Sequence, residues 1–269
     1  MAIKKFNEFL SESIKYLNQQ ELLQWLDQRQ DYVFVALDTE TTGLRGPRQE
    51  QLTQVAAVAF KLDFPSLTFS EISSFNEKIA LNPDILSQLD QPGSRIRDVF
   101  KFTRYEINQD LYKDEQEVLD SLIEFVDGFD KVILLIQNAP FDIPMINIRK
   151  KFGGLNHEIF DTKDFYAYFL LPTLQKLAET DPEAERILSV IGKSSSGKLP
   201  TASLPKVAAG MGIPAGDAHD ALFDCRYMIK TLESGLTIVK DNPNLEITQY
   251  IKPRISMDRY IKMKNKSRK

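Results

Sequence analysis

The alternation of apolar and polar positions predicts five strands, the first three of which form an antiparallel meander. Short runs that are rich in β-branched and aromatic residues and bounded by turn residues are typical of strands. One run, residues 131–136, is continuously apolar, which indicates a strand that is buried on both faces. The predicted strands cover residues 32–37, 52–60, 68–79, 131–136 and 158–160.

Apolar residues at helical spacing predict helices before, between and after these strands. The predicted helices cover residues 5–28, 115–125, 164–171, 204–211 and 221–232, and a further helix begins near residue 143. Residues 81–112 are expected to be irregular or loosely helical, and the Gly- and Ser-rich residues 192–203 are expected to form a loop. This order of elements predicts an α/β fold in which a mixed central sheet is flanked by helices.

The composition of the chain narrows the class of metal site that it can build. Of the 269 residues, 42% are hydrophobic and 27% are charged, and no apolar run approaches the roughly 18–20 residues that a membrane span requires. The N-terminus lacks the apolar stretch of a signal peptide, so a cytoplasmic protein is expected. Cys225 is the only cysteine and there are two histidines, which disfavours a Cys/His zinc site. Any bound metal is expected to be a hard cation held by carboxylates.

The net charge of −4 conceals a basic C-terminal segment. Residues 252–269 carry eight Lys and Arg side chains against the single Asp258, a net charge of +7, so the other residues sum to −11. A segment of this kind either contacts phosphate groups or is a solvated, solubilising end. Both interpretations stay open at this point.

The first chemical motif is the sequence DTETTGL, which begins at Asp38 near the end of a predicted strand. Side chains alternate along a strand, so Asp38 and Glu40 point to the same face. Two like charges so close together repel each other, and a bound cation relieves the repulsion. The Thr-Thr-Gly that follows offers hydroxyl and N–H groups to a nucleotide. The alternative interpretation is a pair of solvated acids at the end of a strand.

The second motif is the sequence NAPFD, which ends at Asp142 and follows the buried strand 131–136. An acid at the start of a helix is a common N-cap, and capping is the simplest interpretation of Asp142. A capping carboxylate can also bind a metal, so the two roles do not exclude each other.

The third motif is the sequence HDALFD, from His219 to Asp224, at the start of a predicted helix. Asp224 lies beside the apolar ridge of this helix, and a half-buried carboxylate requires a partner. His219 is expected on the loop or first turn that enters the helix. The other histidine, His157, is interpreted as an ordinary surface residue.

In this order, the three motifs resemble those of the DEDDh family of 3′→5′ exonucleases. That family includes the proofreading epsilon subunit of the bacterial replicative DNA polymerase and RNase T. The resemblance spans about residues 32–232. It implies an RNase H-like fold, two Mg²⁺ or Mn²⁺ ions, and release of 5′-mononucleotides from the 3′ end of single-stranded DNA or RNA.

The resemblance also implies a role for each matching residue. Four acids are similar to the family's metal-binding carboxylates: Asp38, Glu40, Asp142 and Asp224. His219 is similar to its general base. The residues implied to hold the terminal nucleotide are Thr41, Thr42, Gly43, Leu44, Asn138 and Phe141, with Leu44 against the last base. The implied organisation is an N-terminal helical extension (1–28), an exonuclease domain (29–240) and a basic C-terminal extension (241–269).

Three functions remain open on the sequence. DNA is the favoured substrate, for proofreading or end trimming, and a DNA polymerase or replication complex is then a candidate partner. The same chemistry on RNA would trim 3′ ends, and the 2′-hydroxyl is the group that separates the two substrates. A catalytically silent nucleic-acid-binding scaffold would have lost at least one of the five chemical residues, and all five are present.

Two departures from the family pattern concern the substrate cleft. The chain lacks the Ile-His-Gly-Ile stretch that is common before the second motif in relatives, and residues 173–203 are longer than in minimal members. Both segments are expected to flank the cleft, so they bear on substrate preference and not on the catalytic set. Asp161 and Thr162 follow a short predicted strand, and one of them is expected to cap the next helix.

Overall fold

A computed structural model describes residues 18–89, 112–192, 201–216 and 220–245, and shows a five-stranded mixed sheet. The strands lie in the order β3-β2-β1-β4-β5. The first three strands are antiparallel, as predicted, and β4 and β5 are parallel to β1. The strand bounds are β1 Val33–Thr41, β2 Leu52–Asp63, β3 Thr68–Lys78, β4 Val132–Ile136 and β5 Glu158–Asp161.

Helices cover both faces of this sheet. Their bounds are α1 Gln19–Asp27, α2 Pro83–Leu89, α3 Glu115–Asp127, α4 Ala139–Arg149, α5 Thr162–Phe165, α6 Leu171–Leu177, α7 Pro182–Ile191, α8 Leu204–Gly210 and α9 Ala221–Asp241. A π-helical turn, Tyr166–Leu170, joins α5 to α6. The predicted α/β fold with a mixed sheet and flanking helices is therefore confirmed. No helix in the described ranges combines the length and the apolar character that crossing a membrane requires.

Two apolar cores form because the side chains of the central strands alternate between the faces of the sheet. On β4, Ile133 and Leu135 join the core beneath α1 and α5–α9. Val132, Leu134 and Ile136 join the other core, beneath α3 and α4. Every residue of β4 is buried, as predicted from its continuously apolar run.

The offset between β1 and its neighbours leaves an open end of the sheet. The parallel pairing of β1 with β4 stops at Ala36, which lies opposite Leu135, whereas pairing with β2 continues to Thr41. The last five residues of β1 therefore extend past the carboxyl end of β4. Ligands commonly bind beyond the carboxyl ends of parallel strands, and the acids of the first motif lie on this extension.

Two predicted helix boundaries were wrong. The helix expected to begin near residue 143 is α4, which begins at Ala139. Asn138 at the N-cap and Pro140 in the first turn mark this start locally, and the side chain that accepts the Ala139 N–H is Asp161, 22 residues away. The last helix was expected to end at residue 232 and continues to Asp241, because Leu236 and Val239 are also buried in the core.

Several sequence predictions fall outside the described residues. They are the N-terminal part of the first predicted helix, most of the irregular segment before α3, most of the loop before α8, the basic segment 252–269, and His219. The three-part domain organisation stays a prediction. Helix α1, which belongs to the predicted extension, packs its Leu22 and Leu26 into the core with the sheet.

We expect Gly235→Ala to destabilise the protein although Gly235 lies inside α9. Alanine is favoured over glycine in a helix by about 1 kcal/mol. However, an added Cβ would lie 2.9 Å from the Phe165 ring and 3.2 Å from Leu170, and overpacking of a core costs about 1–3 kcal/mol. Urea denaturation should show a net loss of about 1 kcal/mol. Thr237→Ala, on the exposed face of the same helix, is the control and should show no loss of stability. An increase in the free energy of unfolding of Gly235→Ala would mean that Phe165 and Leu170 move aside without cost.

Candidate active site

Three of the predicted acids meet at the open end of the sheet. Asp38 and Glu40 project from the same face of β1, as the strand period requires, and Asp224 projects from the first turn of α9. One carboxylate oxygen from each of the three lies within 4.8 Å of the other two. Oxygen atoms from carboxylates are the ligands that Mg²⁺ and Mn²⁺ prefer, so this group could hold a divalent cation.

Asp142, the fourth predicted acid, is close to this group but is directed at β1. It is 3% exposed, and its Oδ1 accepts hydrogen bonds from the Thr39 hydroxyl at 2.6 Å and the Thr39 backbone N–H at 3.2 Å. The N-cap of α4 is Asn138 and not Asp142. The capping interpretation of Asp142 is therefore wrong, because the carboxylate lies one turn inside the helix and binds a neighbouring strand.

Helix α9 is fixed against the sheet by groups at its N-terminus. Asp220 caps it by accepting the Phe223 N–H at 3.0 Å. The Gln54 amide on β2 donates to Asp220 at 3.2 Å and accepts the Ala221 N–H at 3.3 Å. One turn on, the buried Cys225 thiol faces the backbone oxygens of β1 and β2. These contacts hold Asp224 over the end of β1.

Sequence reasoning missed Thr39, Gln54 and Asp220 as determinants of the site. Each has a signal that is visible only in retrospect. Gln54 is an isolated amide within an apolar strand, where a polar group must find a partner. Asp220 stands in the position of an N-cap, and Thr39 separates the two acids of the first motif.

Burial and mutual repulsion disfavour the charged forms of these acids. Burial, followed by the charge of Asp142, raises the pKa of Asp38 well above its ordinary value. Burial, followed by the charge of Asp224, raises the pKa of Glu40 to about 8. Burial raises the pKa of Asp142 to about 7, although its hydrogen bonds from Thr39 act in the opposite direction. A divalent cation would reverse these effects by favouring the ionised carboxylates.

The loop that follows β1 is shaped by a buried acid. Glu50 is 5% exposed and accepts the Thr42 hydroxyl at 2.8 Å and the Arg45 guanidinium at 2.7 Å. The Thr41 hydroxyl donates to the Gly43 carbonyl at 2.6 Å. A Cβ on Gly43 would lie 2.7 Å from the Glu50 carboxylate, so the loop requires glycine at this position.

The remaining predicted nucleotide-binding residues lie at both sides of the acids. Leu44 is 88% exposed at the tip of the loop after β1, which is where a side chain that packs on a ligand must be. Phe141 is half-buried in the first turn of α4. Asn138 has a positive φ of 73°, and its side-chain oxygen accepts a hydrogen bond from Lys163 at 2.8 Å. His157 pairs with Asp127 at the surface, as expected for a residue outside the site.

Comparison with solved structures identifies the fold. The zinc-bound form of Escherichia coli exonuclease I with single-stranded DNA matches with a TM-score of 0.51 and 18% identity, over 77% of this chain and 41% of that one. A structure of SSB and exonuclease I with the inhibitor CFAM matches with a TM-score of 0.54 and 16% identity, over 78% and 43% of the two chains. The expected RNase H-like α/β fold is thereby confirmed.

The same comparison defines how far the likeness reaches. This chain spans less than half the length of the exonuclease I chains that it matches. No protein-family model and no curated protein matches it by sequence. At 16–18% identity the likeness establishes the fold, and the chemistry rests on the residues of this chain.

The raised pKa values predict how stability depends on pH without metal. Glu40 has a higher pKa in the folded protein than its ordinary 4.5, so its stabilising contribution is complete below about pH 4.5 and is lost as the pH rises through about 8. In EDTA, the free energy of unfolding should fall between pH 5 and 8, and Glu40→Gln should reduce the fall by about 1–3 kcal/mol. Parallel curves for the two proteins in urea denaturation would contradict this.

The contact between Thr39 and Asp142 predicts a matched pair of variants. Thr39→Val removes the hydroxyl but keeps the side-chain shape, so Asp142 loses a donor that favours its ionised form. Loss of an outer partner of a metal ligand typically weakens metal binding about 10–100-fold, and Mn²⁺ titration should show an effect in this range. Thr237→Val, on the exposed face of α9, should leave Mn²⁺ affinity unchanged; equal losses in both variants would refute a specific role for the Thr39 hydroxyl.

Proposed function

We propose that this protein is a metal-dependent 3′→5′ exonuclease that acts on single-stranded nucleic acid, with DNA as the favoured polymer, and releases 5′-mononucleotides. The observation that carries the proposal is the convergence of Asp38, Glu40 and Asp224 from two separate elements, next to the buried Asp142. No single helix or strand could bring these acids together. They lie on the fold of exonuclease I and within three motifs that resemble the DEDDh family.

The donor set fits two Mg²⁺ or Mn²⁺ ions held by Asp38, Glu40, Asp142 and Asp224. All ligand atoms are carboxylate oxygens, and burial and mutual repulsion raise the pKa values of three of the acids. Acids in this situation are stabilised by a cation that neutralises them. When bound, such ions activate a water molecule and stabilise the leaving oxygen in phosphodiester hydrolysis.

The side chains around the acids would bind and orient the substrate. Thr41 ends β1, and Thr42 and Gly43 begin the loop whose shape the buried Glu50 sets; their assignment to the terminal nucleotide rests on the resemblance of the first motif. The exposed Leu44 would pack against the last base. Asn138 and Phe141 would line the other side of the same pocket.

His219 is proposed as the general base that accepts a proton from the attacking water. It lies outside the described residues, and its assignment rests on the resemblance of the third motif. It immediately precedes Asp220 in the sequence, and Asp220 is fixed by Gln54 on β2. A histidine with an ordinary pKa of about 6.5 is suited to proton transfer near neutral pH.

Single-stranded DNA is the favoured substrate because structural neighbours are exonuclease I in complexes with single-stranded DNA. RNA is the alternative substrate, because the same chemistry can act on both polymers and the 2′-hydroxyl is the group that separates them. The neighbours include complexes with SSB, and the expected polymerase partner is not supported. The exonuclease domain is proposed to cover residues 29–240.

The direct test uses 5′-labelled single-stranded DNA and RNA of one sequence, each with Mg²⁺, Mn²⁺ or EDTA. We expect a ladder that shortens from the 3′ end, requires the metal, and forms faster on DNA. Asp38→Asn preserves shape but removes one metal-ligand charge, and should slow shortening at least about 100-fold, since loss of a few kcal/mol of transition-state stabilisation has this effect.

Asp181→Asn is the matched control for this substitution. Asp181 caps α7, where it accepts the Glu183 N–H at 2.9 Å. The Asp181→Asn variant should therefore shorten DNA at the same rate as the wild type. If neither polymer is shortened with Mg²⁺ or Mn²⁺, the exonuclease proposal is wrong, and a silent binding scaffold becomes the better interpretation. Faster shortening of RNA would reassign the substrate and keep the chemistry.

A further inference from the structure

Asp161, at the end of β5, accepts three backbone N–H groups from two different segments. Its Oδ1 accepts the N–H of Lys163 at 2.9 Å and of Asn138 at 3.0 Å, and its Oδ2 accepts the N–H of Ala139 at 2.9 Å. The bond to Lys163 is the N-cap of α5 that the sequence predicts. The other two bonds reach across to the junction between β4 and α4, and they go beyond that prediction.

Helix α4 depends on this contact because it lacks a cap of its own. The first N–H groups of a helix have no partner within the helix. Asn138 occupies the N-cap position, but its side chain makes no capping hydrogen bond, and its backbone is in the left-handed region. This conformation is uncommon outside glycine, although asparagine adopts it more readily than most residues, and it persists where its surroundings hold it. Asp161 supplies the missing acceptor and holds Asn138 in this conformation.

Two further contacts join the same pair of segments. The Lys163 ammonium donates to the Asn138 side-chain oxygen at 2.8 Å, and the Thr162 hydroxyl donates to the Gln137 side chain at 2.6 Å. Residues 161–163, which begin with the last residue of β5, therefore make hydrogen bonds to residues 137–139, which follow β4. Asp142 lies on α4 about one turn after Asn138, and its carboxylate accepts the hydrogen bond from the Thr39 hydroxyl on β1.

We propose that Asp161 is a positioning residue, which sets the place of Asp142 in the metal site by fixing the backbone of Asn138 and Ala139. This inference rests on the proposed exonuclease function, because Asp142 matters here as a metal ligand. Asp161 is not one of the acids in the group formed by Asp38, Glu40 and Asp224, and its hydrogen bonds reach the site through the start of α4. A carboxylate is required because only two acceptor oxygens can serve all three donors.

The variant Asp161→Asn separates this role from ordinary capping. Asparagine is about as good an N-cap as aspartate, so α5 keeps its cap when the amide oxygen faces Lys163. The amide nitrogen then replaces Oδ2 and places N–H groups against the Ala139 N–H. A capping role alone predicts little change, whereas the positioning role predicts about 10–100-fold weaker Mn²⁺ binding.

The experiment compares the wild type, Asp161→Asn and Asp181→Asn in Mn²⁺ titration, in DNA shortening at varied Mn²⁺, and in amide hydrogen exchange. For Asp161→Asn we expect faster exchange at residues 138 and 139 and a higher Mn²⁺ concentration for half-maximal rate, with the rate recovering at high Mn²⁺. Merely reduced folding would lower the rate without moving the Mn²⁺ dependence. Asp181→Asn should match the wild type in all three measurements.

The outcomes distinguish this proposal from the function on which it rests. If the wild type binds Mn²⁺ but shortens neither polymer, the exonuclease assignment fails, and Mn²⁺ affinity and amide exchange still decide the role of Asp161. If Asp161→Asn binds Mn²⁺ and shortens DNA as the wild type does, the positioning role is overturned and the exonuclease stands. A wild type that does not bind Mn²⁺ would overturn both.

Discussion

Repulsion among acids crowded at one end of the sheet is the constraint on which the rest of the structure depends. Asp38, Glu40 and Asp224 lie within a few ångströms of one another, and burial raises the free energy of each charged form. The backbone must hold them there without help from the acids themselves. The extension of β1 past β4 and the anchoring of α9 by Gln54 together provide this support. The packing of the core thus keeps Asp38, Glu40 and Asp224 close together although their mutual repulsion is unfavourable.

The loop after β1 is also held in place by residues from other parts of the chain. The loop after β1 is shaped by Glu50, which is buried beneath it, and Arg149 at the end of α4 donates to the carbonyls of Pro47 and Glu50 in the same loop. Helix α4 therefore contacts the end of β1 that carries Asp38 and Glu40 with one of its ends, and the loop after β1 with the other. A single helix couples the two parts of the site.

The sequence predicts well those features that depend on neighbours along the chain. The period of apolar residues locates all five strands, and strand alternation places Asp38 and Glu40 on one face. Features that depend on contacts between distant segments were not predictable in this way. The start of α4 is held by Asp161 and the orientation of Asp142 by Thr39, 103 residues away. Three of the four motif acids converge in the structure, whereas the residues that hold them were not predicted, because no short pattern records a tertiary hydrogen bond.

The position of Cys225 gives the molecule a built-in reporter. It is the only thiol in the chain, it is fully buried between α9 and the backbone oxygens of Ala36 and Ala56, and burial raises its pKa well above the ordinary value. A thiol reagent can reach it only when α9 lifts from β1 and β2, and that movement also carries Asp224 away from Asp38. The rate of thiol labelling therefore reports how often the group formed by Asp38, Glu40 and Asp224 comes apart, and the measurement requires no substrate.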